Sequence, residues 1–383
     1  MNLTDARRVV AVRALRGFAD GFVSVLLADH LLSLGFSPFR VGVIVTGTLV
    51  GSAILTLLVG LRGHRVGFRT LLLAACGLMF ATGVGFLTVD AFWPLLLIAA
   101  VGTLNPTAGD VSVFLPTEQA FLAQHASGHE RTRLYAIYAV GGNLAGALGA
   151  LLTAVVTGRS GFVVYIAVAV VAAAVYAGLP RDRPEASGLT KPLHRSRSIV
   201  VRLALLFSLD SAGAGLAGQS LLVLWLHLRF DLDVGVTGAV FFGAGVLAAF
   251  SQLVAARLPA RIGLIETMVF THLPANAFLA LAGLMPTAPL AIAFLLLRAL
   301  LSQMDVPARQ AFVMAAVLPE ERAAAASVTN VPRSLAAATT PALAGWLLDA
   351  GWLAWPLVLA GASKALYDVL LLLTFRDVEV EMS

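Results

Sequence analysis

The sequence predicts an all-α membrane protein whose twelve transmembrane helices form two pseudo-symmetric six-helix bundles. Three observations lead there. Twelve apolar stretches fill the 383 residues almost end to end. A mean hydropathy of +0.90, with 59% hydrophobic and 12% charged residues, excludes an ordinary soluble globule, whose charged share is about 25%. The second half also repeats the first: Glu118-Gln119-Ala120-Phe121 and the turn at His129-Glu130-Arg131 recur 191 positions later as Arg309-Gln310-Ala311-Phe312 and Glu320-Glu321-Arg322. Arg65-Val66-Gly67-Phe68 is matched by Arg261-Ile262-Gly263-Leu264, and Asp20 by Asp210. A repeat of half the chain predicts two structural halves related by an axis along the membrane normal, with a binding site between them.

A span needs roughly 20 apolar residues, and the expected spans are 9–34, 41–61, 69–89, 93–123, 133–157, 162–179, 200–228, 235–257, 264–285, 288–317, 323–349 and 352–375. Span 1 runs well past the core of a signal peptide without a small-residue cleavage site, so it is expected to remain as the first span. Span 2 carries Gly47-x-x-x-Gly51, and span 5 carries Gly142-x-x-x-Gly146 and Gly149. Small residues on one face let helices approach closely in lipid. Span 3 holds Cys76, the lone cysteine, which rules out an intrachain disulfide and reads as a small core residue. Span 4 is interrupted at Asn105-Pro106. Within span 7, Gly213-Ala214-Gly215-Leu216-Ala217-Gly218 matches G-x-G-x-x-G, but that fingerprint binds a dinucleotide only between a strand and a helix. Packing is the expected use here. In span 12 Lys364 and Asp368 lie one turn apart, where they can neutralise each other. Trp93, Trp352 and Trp355 fall near span ends, as interfacial anchors do.

The net charge of +5 does not point to nucleic acid, because the basic residues are distributed by topology. Arg7, Arg8, Arg13 and Arg16 open span 1, Arg62, Arg65 and Arg69 lie between spans 2 and 3, and Arg131 and Arg133 follow span 4. The densest set lies between spans 6 and 7, while the opposite loops offer Arg40, Arg159 and Arg229. The positive-inside rule then puts both termini in the cytoplasm. Only the polar, proline-containing stretch 180–199 is long enough to separate two halves, giving bundles 1–179 and 200–383 on either side of a cytoplasmic linker.

With spans, repeat and basic central loop in place, the chain resembles the major facilitator superfamily over nearly its whole length, in particular bacterial, twelve-span, drug-efflux-like members. The most specific local match is Gly60-Leu61-Arg62-Gly63-His64-Arg65-Val66-Gly67-Phe68-Arg69 against the family pattern G-x-x-x-D-[RK]-x-G-x-[RK]. Gly60, Arg65, Gly67 and Arg69 fit, and His64 stands at the acidic position. The resemblance implies that the acid's latch on the cytoplasmic side is weaker here or made otherwise. Arg257-Leu258-Pro259-Ala260-Arg261-Ile262-Gly263 and Thr340-Pro341-Ala342-Leu343-Ala344-Gly345 also look like the family. Span 5 lacks the Gly-Pro step of the antiporter motif. The resemblance further implies a monomer that works by alternating access.

A charge inside a span costs at least about 2.5–3.5 kcal/mol, so it usually faces a cavity or a partner. Asp20 and Asp210 occupy equivalent places in spans 1 and 7, which in the family line the central cavity. A carboxylate there that meets each aqueous phase in turn can load and release a proton. With Asp110, beyond the Asn105-Pro106 break, these are the candidate proton-coupling residues; a purely local bonding or capping role is the alternative. Asn105, Asp110, Gln219, Arg298, Gln303 and Asp305 are the candidate cavity contacts, Arg298 for an anionic group. Glu118 and Arg309, repeat-equivalent and opposite in sign, are candidates for a cytoplasmic gate. The alternative is that each bonds within its own half, Glu118 with Arg131 or Arg133.

There is no H-E-x-x-H, G-x-S-x-G, P-loop or cysteine pair, and soft-metal transport would want more sulfur and imidazole in the spans. The expectation is a secondary transporter without enzyme activity, metal or cofactor, set in the cytoplasmic membrane among lipid. Its leading form is proton-coupled export of a small organic molecule. The alternatives are a symporter or uniporter for a small polar or anionic solute, and a lipid flippase or a sensor on the same fold.

Overall fold

The computed structural model describes residues 3–62, 66–107, 114–125, 128–180, 196–255, 258–318 and 321–376, and among them the regular structure is helical, without a strand. The first repeat supplies α1 (Leu3–Ser33), α2 (Pro38–Arg62), α3 (Phe68–Thr88), α4 (Phe92–Val101), α5 (Phe114–His125), α6 (Gly128–Leu152) and α7 (Gly161–Ala177). The second supplies α8 (Arg197–Leu216), α9 (Gln219–Phe230), α10 (Val234–Ala255), α11 (Pro259–Ile262), α12 (Leu264–Leu284), α13 (Ala288–Leu301), α14 (Asp305–Ala315), α15 (Arg322–Thr339), α16 (Pro341–Asp349) and α17 (Trp355–Phe375). Among the described residues, nine helical stretches are long and apolar enough to cross a membrane, α8 with α9 and α13 with α14 each counting as one. The charged α1 and the pairs α4–α5 and α15–α16 occupy the other three expected spans.

Four expected spans are therefore not continuous. Span 4 leaves the helix at Gly102, which takes an extended conformation ahead of Pro106. Span 7 breaks at Ala217-Gly218, span 10 at Ser302–Met304 before Pro307, and span 11 at Thr340 before Pro341. Proline cannot donate to a preceding turn and disfavours helix in the residue before it. Non-helical backbone at membrane depth is tolerated only where neighbours satisfy it. That condition is met at span 4. The Thr103 N–H donates to Thr82 Oγ1 at 3.4 Å, and its carbonyl accepts from the Tyr165 hydroxyl at 3.2 Å. The Pro106 carbonyl accepts from both the backbone N–H and the hydroxyl of Ser220, at 3.0 and 2.9 Å. The six-residue stretch matching the dinucleotide fingerprint runs off the end of α8 into the break before α9, with no strand before it among the described residues.

The chain divides into two compact units, Met1–Ala186 with Gly218–Gly245 and Ser187–Ala217 with Val246–Ser383. In the first, α1 lies along α6 through facing glycines. A methyl group at Gly21 would run into the Gly146 carbonyl, and one at Gly149 into that of Phe18. Gly51 on α2 meets Ala100 on α4 in the same way. In this unit α9 docks on α1, where Ser220 Oγ also donates to the Ser24 carbonyl at 2.6 Å. The start of α10 follows, with Gly238 against Ala150 of α6 and Thr153 just beyond its end.

In the second unit α8 is flanked by α15 and α17. Gly213 faces Ala360, Ser363 and Lys364, and Gly215 faces Ala337 and Thr340. Its core gathers Leu203, Phe207, Met268, Phe312, Tyr367 and Leu371. Large apolar side chains on outer faces, such as Leu205, Phe270 and Leu373, are exposed, as lipid contact requires. So are Trp93, Trp352 and Trp355, whereas Cys76 is buried.

Candidate functional site

Each unit encloses one cluster of charged side chains. In the first, Glu118 on α5 is fully buried and uses both carboxylate oxygens. Oε1 accepts from Arg16 Nη1 at 2.5 Å and from the Tyr176 hydroxyl, and Oε2 accepts from the Tyr138 hydroxyl. Four helices, α1, α5, α6 and α7, thus meet on one carboxylate. The Arg16 guanidinium lies 3.6 Å over the ring of Phe114, which shields the pair further. One turn along α1, Asp20 is bonded by the Asn105 side chain at the break of span 4, with the charges of Arg16 and Arg13 nearby.

The second cluster is larger. Asp210 on α8 receives Lys364 Nζ of α17 at Oδ1, 2.5 Å away, and Arg309 Nη1 of α14 at Oδ2, 3.4 Å away. The same Arg309 nitrogen is 3.5 Å from Asp305 Oδ2, one turn earlier on α14. Near the same Asp210 oxygen as Lys364 lies His272 of α12, whose Nδ1 is 2.8 Å from Asp368 Oδ1. Asn276, one turn along, donates from Nδ2 to Asp368 Oδ2 at 2.8 Å. Asp210, His272, Asp305, Arg309, Lys364 and Asp368 are all buried. The half-buried Arg298 on α13 adds a charge that Asp210 partly offsets.

The two clusters are charge-swapped counterparts. In the first unit an acid on span 4 is bonded by a base on span 1, with Tyr176 of span 6 beside them. In the second a base on span 10 is bonded by an acid on span 7, with Tyr367 of span 12 beside them. Buried ions in low dielectric persist only when paired and hydrogen-bonded, and the repeat meets that demand twice with opposite signs.

The expected residues are placed as follows. Asp20 and Asp210 are buried on equivalent helices with different partners. Glu118 and Arg309 are each engaged within their own unit, the alternative weighed beside the gate; the side chains of Arg131 and Arg133 lie outside the described residues. Asp110, His64 and Arg65 also lie outside them, while Gly60 lies in the last turn of α2, Gly67 caps α3 and Arg69 sits in its first turn. Gln219 opens α9, and Gln303 approaches Gln252 Nε2 at 3.4 Å. The mutual neutralisation of Lys364 and Asp368 is corrected: Lys364 reaches across to Asp210, and Asp368 bonds His272 and Asn276. The long lysine stem reaches a neighbouring helix as readily as the next turn of its own.

Arg16, Tyr138, Tyr176, His272, Asn276 and Tyr367 join the clusters without having been singled out. Arg16 was counted with the topological arginines. One signal was present: Tyr176 and Tyr367 are 191 positions apart, in the register of Glu118 and Arg309. Among the described residues, no group of three or more His, Cys, Asp and Glu side chains could hold a metal ion.

The sequence pattern of the Major Facilitator Superfamily matches residues 9–297. The chain belongs to this superfamily. A curated relative, an uncharacterized membrane protein of Saccharomyces cerevisiae, is 22% identical over 99% of this chain and 95% of its own length. Three solved structures share the fold. The nucleoside transporter NupG has a TM-score of 0.78 at 10% identity, covering 97% of this chain and 100% of its own. A D-xylose–proton symporter has 0.76 at 15% identity, covering 95% and 96%. The human organic anion transporter has 0.71 at 20% identity, covering 96% and 99%. The protein is thus a multi-pass membrane transporter of the superfamily.

Proposed function

We propose that the chain moves a small organic anion by alternating access, together with a proton bound in the charge cluster around Asp210. The observation that carries this is the pair of bases on one buried carboxylate, Lys364 at 2.5 Å and Arg309 at 3.4 Å. A proton bound in this cluster leaves one positive charge without a counter-charge. An uncompensated buried cation costs several kcal/mol, and an anionic cargo entering as the proton does relieves that cost, with Arg298 as a further contact. Proton and anion then bind together, which makes the coupling symport. One protein of this fold is described as an organic anion transporter. Asn105, Gln219, Gln303 and Asp305 are proposed as the remaining polar contacts. The protein is proposed to work as a monomer among the lipids of the cytoplasmic membrane, with both termini inside.

A second reading, proton-coupled export, is favoured by Asp20. It lies where the broken span 4 meets α1, bonded by the Asn105 side chain. A carboxylate there can trade its proton against a cationic or weakly polar cargo, with Asp110 as the next candidate along span 4.

Proteoliposomes containing wild type, Asp210→Asn or Asp20→Asn, tested with labelled carboxylates, amines and neutral compounds with and without a pH gradient, separate the readings. Carboxylate accumulation driven down the proton gradient, and lost in Asp210→Asn, is the expected result. Efflux against the gradient that fails in Asp20→Asn selects export. Flux indifferent to the gradient in all three proteins removes proton coupling.

A further inference from the structure

Beyond Asp210 stands an acid–base set that the transport reading leaves unused. His272 has Nδ1 2.8 Å from Asp368 Oδ1 and Nε2 3.7 Å from Asp210 Oδ1. A neutral imidazole has one N–H, so it donates to one carboxylate and turns a lone pair toward the other. Only the doubly protonated ring suits both. Lys364 Nζ occupies the same oxygen, Asp210 Oδ1, at 2.5 Å, so the imidazole and the ammonium converge on one acceptor. Asn276 holds Asp368 from the far side at 2.8 Å, which fixes the carboxylate that orients the ring. The Tyr367 ring meets His272 edge-on at 5.9 Å.

We propose that His272 is a proton-binding site of this chain, and that its protonated form takes Asp210 Oδ1 from Lys364. This rests on the proton-coupled reading and names a residue through which the proton acts. The step balances simply: a proton from water adds to Nε2, the new N–H donates to Asp210 Oδ1, and Lys364, still charged, gives up that oxygen. Asp210 on α8 and Asp368 on α17 face the ring, Tyr367 on α17 meets it edge-on and Asn276 lies one turn along its own helix, while Lys364 on α17 and Arg309 on α14 bond Asp210, Asp305 on α14 bonds Arg309, and Arg298 on α13 adds its charge to Asp210. Three acids and three bases balance while His272 is neutral. Its proton leaves one positive charge in excess, and that charge resides on Lys364, free to meet an anion.

The test is nitrogen NMR of the full chain in lipid nanodiscs with [15N]histidine. The signal absent from His272→Gln identifies the residue. Its nitrogen shifts are expected to pass from those of a neutral ring to those of a cationic ring on acidification. In Lys364→Met the step is expected to move by about one pH unit toward higher pH, a tenfold gain in proton affinity. A signal that keeps one protonation state throughout overturns the proposal, and an unmoved step in Lys364→Met overturns the competition. Should His272→Gln not yield monodisperse protein, Asp368→Asn must displace the same wild-type signal. Gradient-driven flux with a non-titrating His272 leaves the transport reading standing and this proposal refuted. A titrating His272 with gradient-indifferent flux does the reverse.

Discussion

Glu118 accepts from an arginine and two tyrosines with no exposed surface, so each partner should carry a measurable share of stability. Glu118→Gln removes the counter-charge of buried Arg16, a change that costs about 3–5 kcal/mol where a buried pair is broken. Tyr176→Phe removes one hydrogen bond to a charged group, about 1.5–3 kcal/mol. Thermal unfolding followed by tryptophan fluorescence should rank Glu118→Gln well below Tyr176→Phe, and equal midpoints would remove Glu118 from the centre of the cluster. A parallel cycle applies in the second unit. Asp210→Asn alone should destabilise more than Asp210→Asn with Lys364→Met, since the double variant no longer strands the lysine. The acids of these sites were legible because a charge within a span is rare. Their partners were not, because side-chain spacing along one helix cannot say which neighbouring helix a long base reaches. Tyrosines and Asn276 gave still less signal, being unremarkable in an apolar stretch until a carboxylate is seen beside them.

The elements themselves were largely readable from hydropathy, and the small-residue patterns correctly marked close helix contacts, as Gly142 and Gly146 against α1 illustrate. What hydropathy smooths over is discontinuity. Spans 7 and 11 were expected as single helices because their turns of non-helix are only one or two residues long and flanked by apolar sequence, whereas Asp305 just before Pro307 marked a helix break in span 10. Pro307 and Pro341 were visible, but proline in a membrane helix does not by itself distinguish a kink from a break. Pro274 and Pro332 remain inside α12 and α15. The α1–α6 contact provides a sharp test. Gly21→Val drives a side chain into the Gly146 carbonyl and should abolish recovery of folded protein from detergent extracts. Gly77→Ala, on an open face of α3, should be neutral or gain up to about 1 kcal/mol. If both variants extract alike, the close approach of α1 and α6 is not required for folding.

For the whole molecule, the distribution of arginines predicts which face meets the cytoplasm, and the buried Cys76, 1% exposed, offers a quiet background for labelling. Ser198 and Ser160 are exposed near opposite predicted faces. A membrane-impermeant maleimide added to intact cells should label Ser160→Cys, and Ser198→Cys only after permeabilisation; the opposite pattern inverts the orientation. The half-chain repeat was the part of the architecture most plainly written in the sequence, yet it hid the change of sign between the two clusters, since repeat-equivalence compares positions and not partners. That change of sign has a consequence for electrical behaviour. Arg13 and Arg16 offset Asp20 and Glu118, and Arg298, Arg309 and Lys364 offset Asp210, Asp305 and Asp368. Each elementary charge moved through 100 mV is worth about 2.3 kcal/mol. With neutral clusters, the membrane potential gains no purchase on these groups when a unit moves as a body, and current accompanying transport would count the protons and cargo alone.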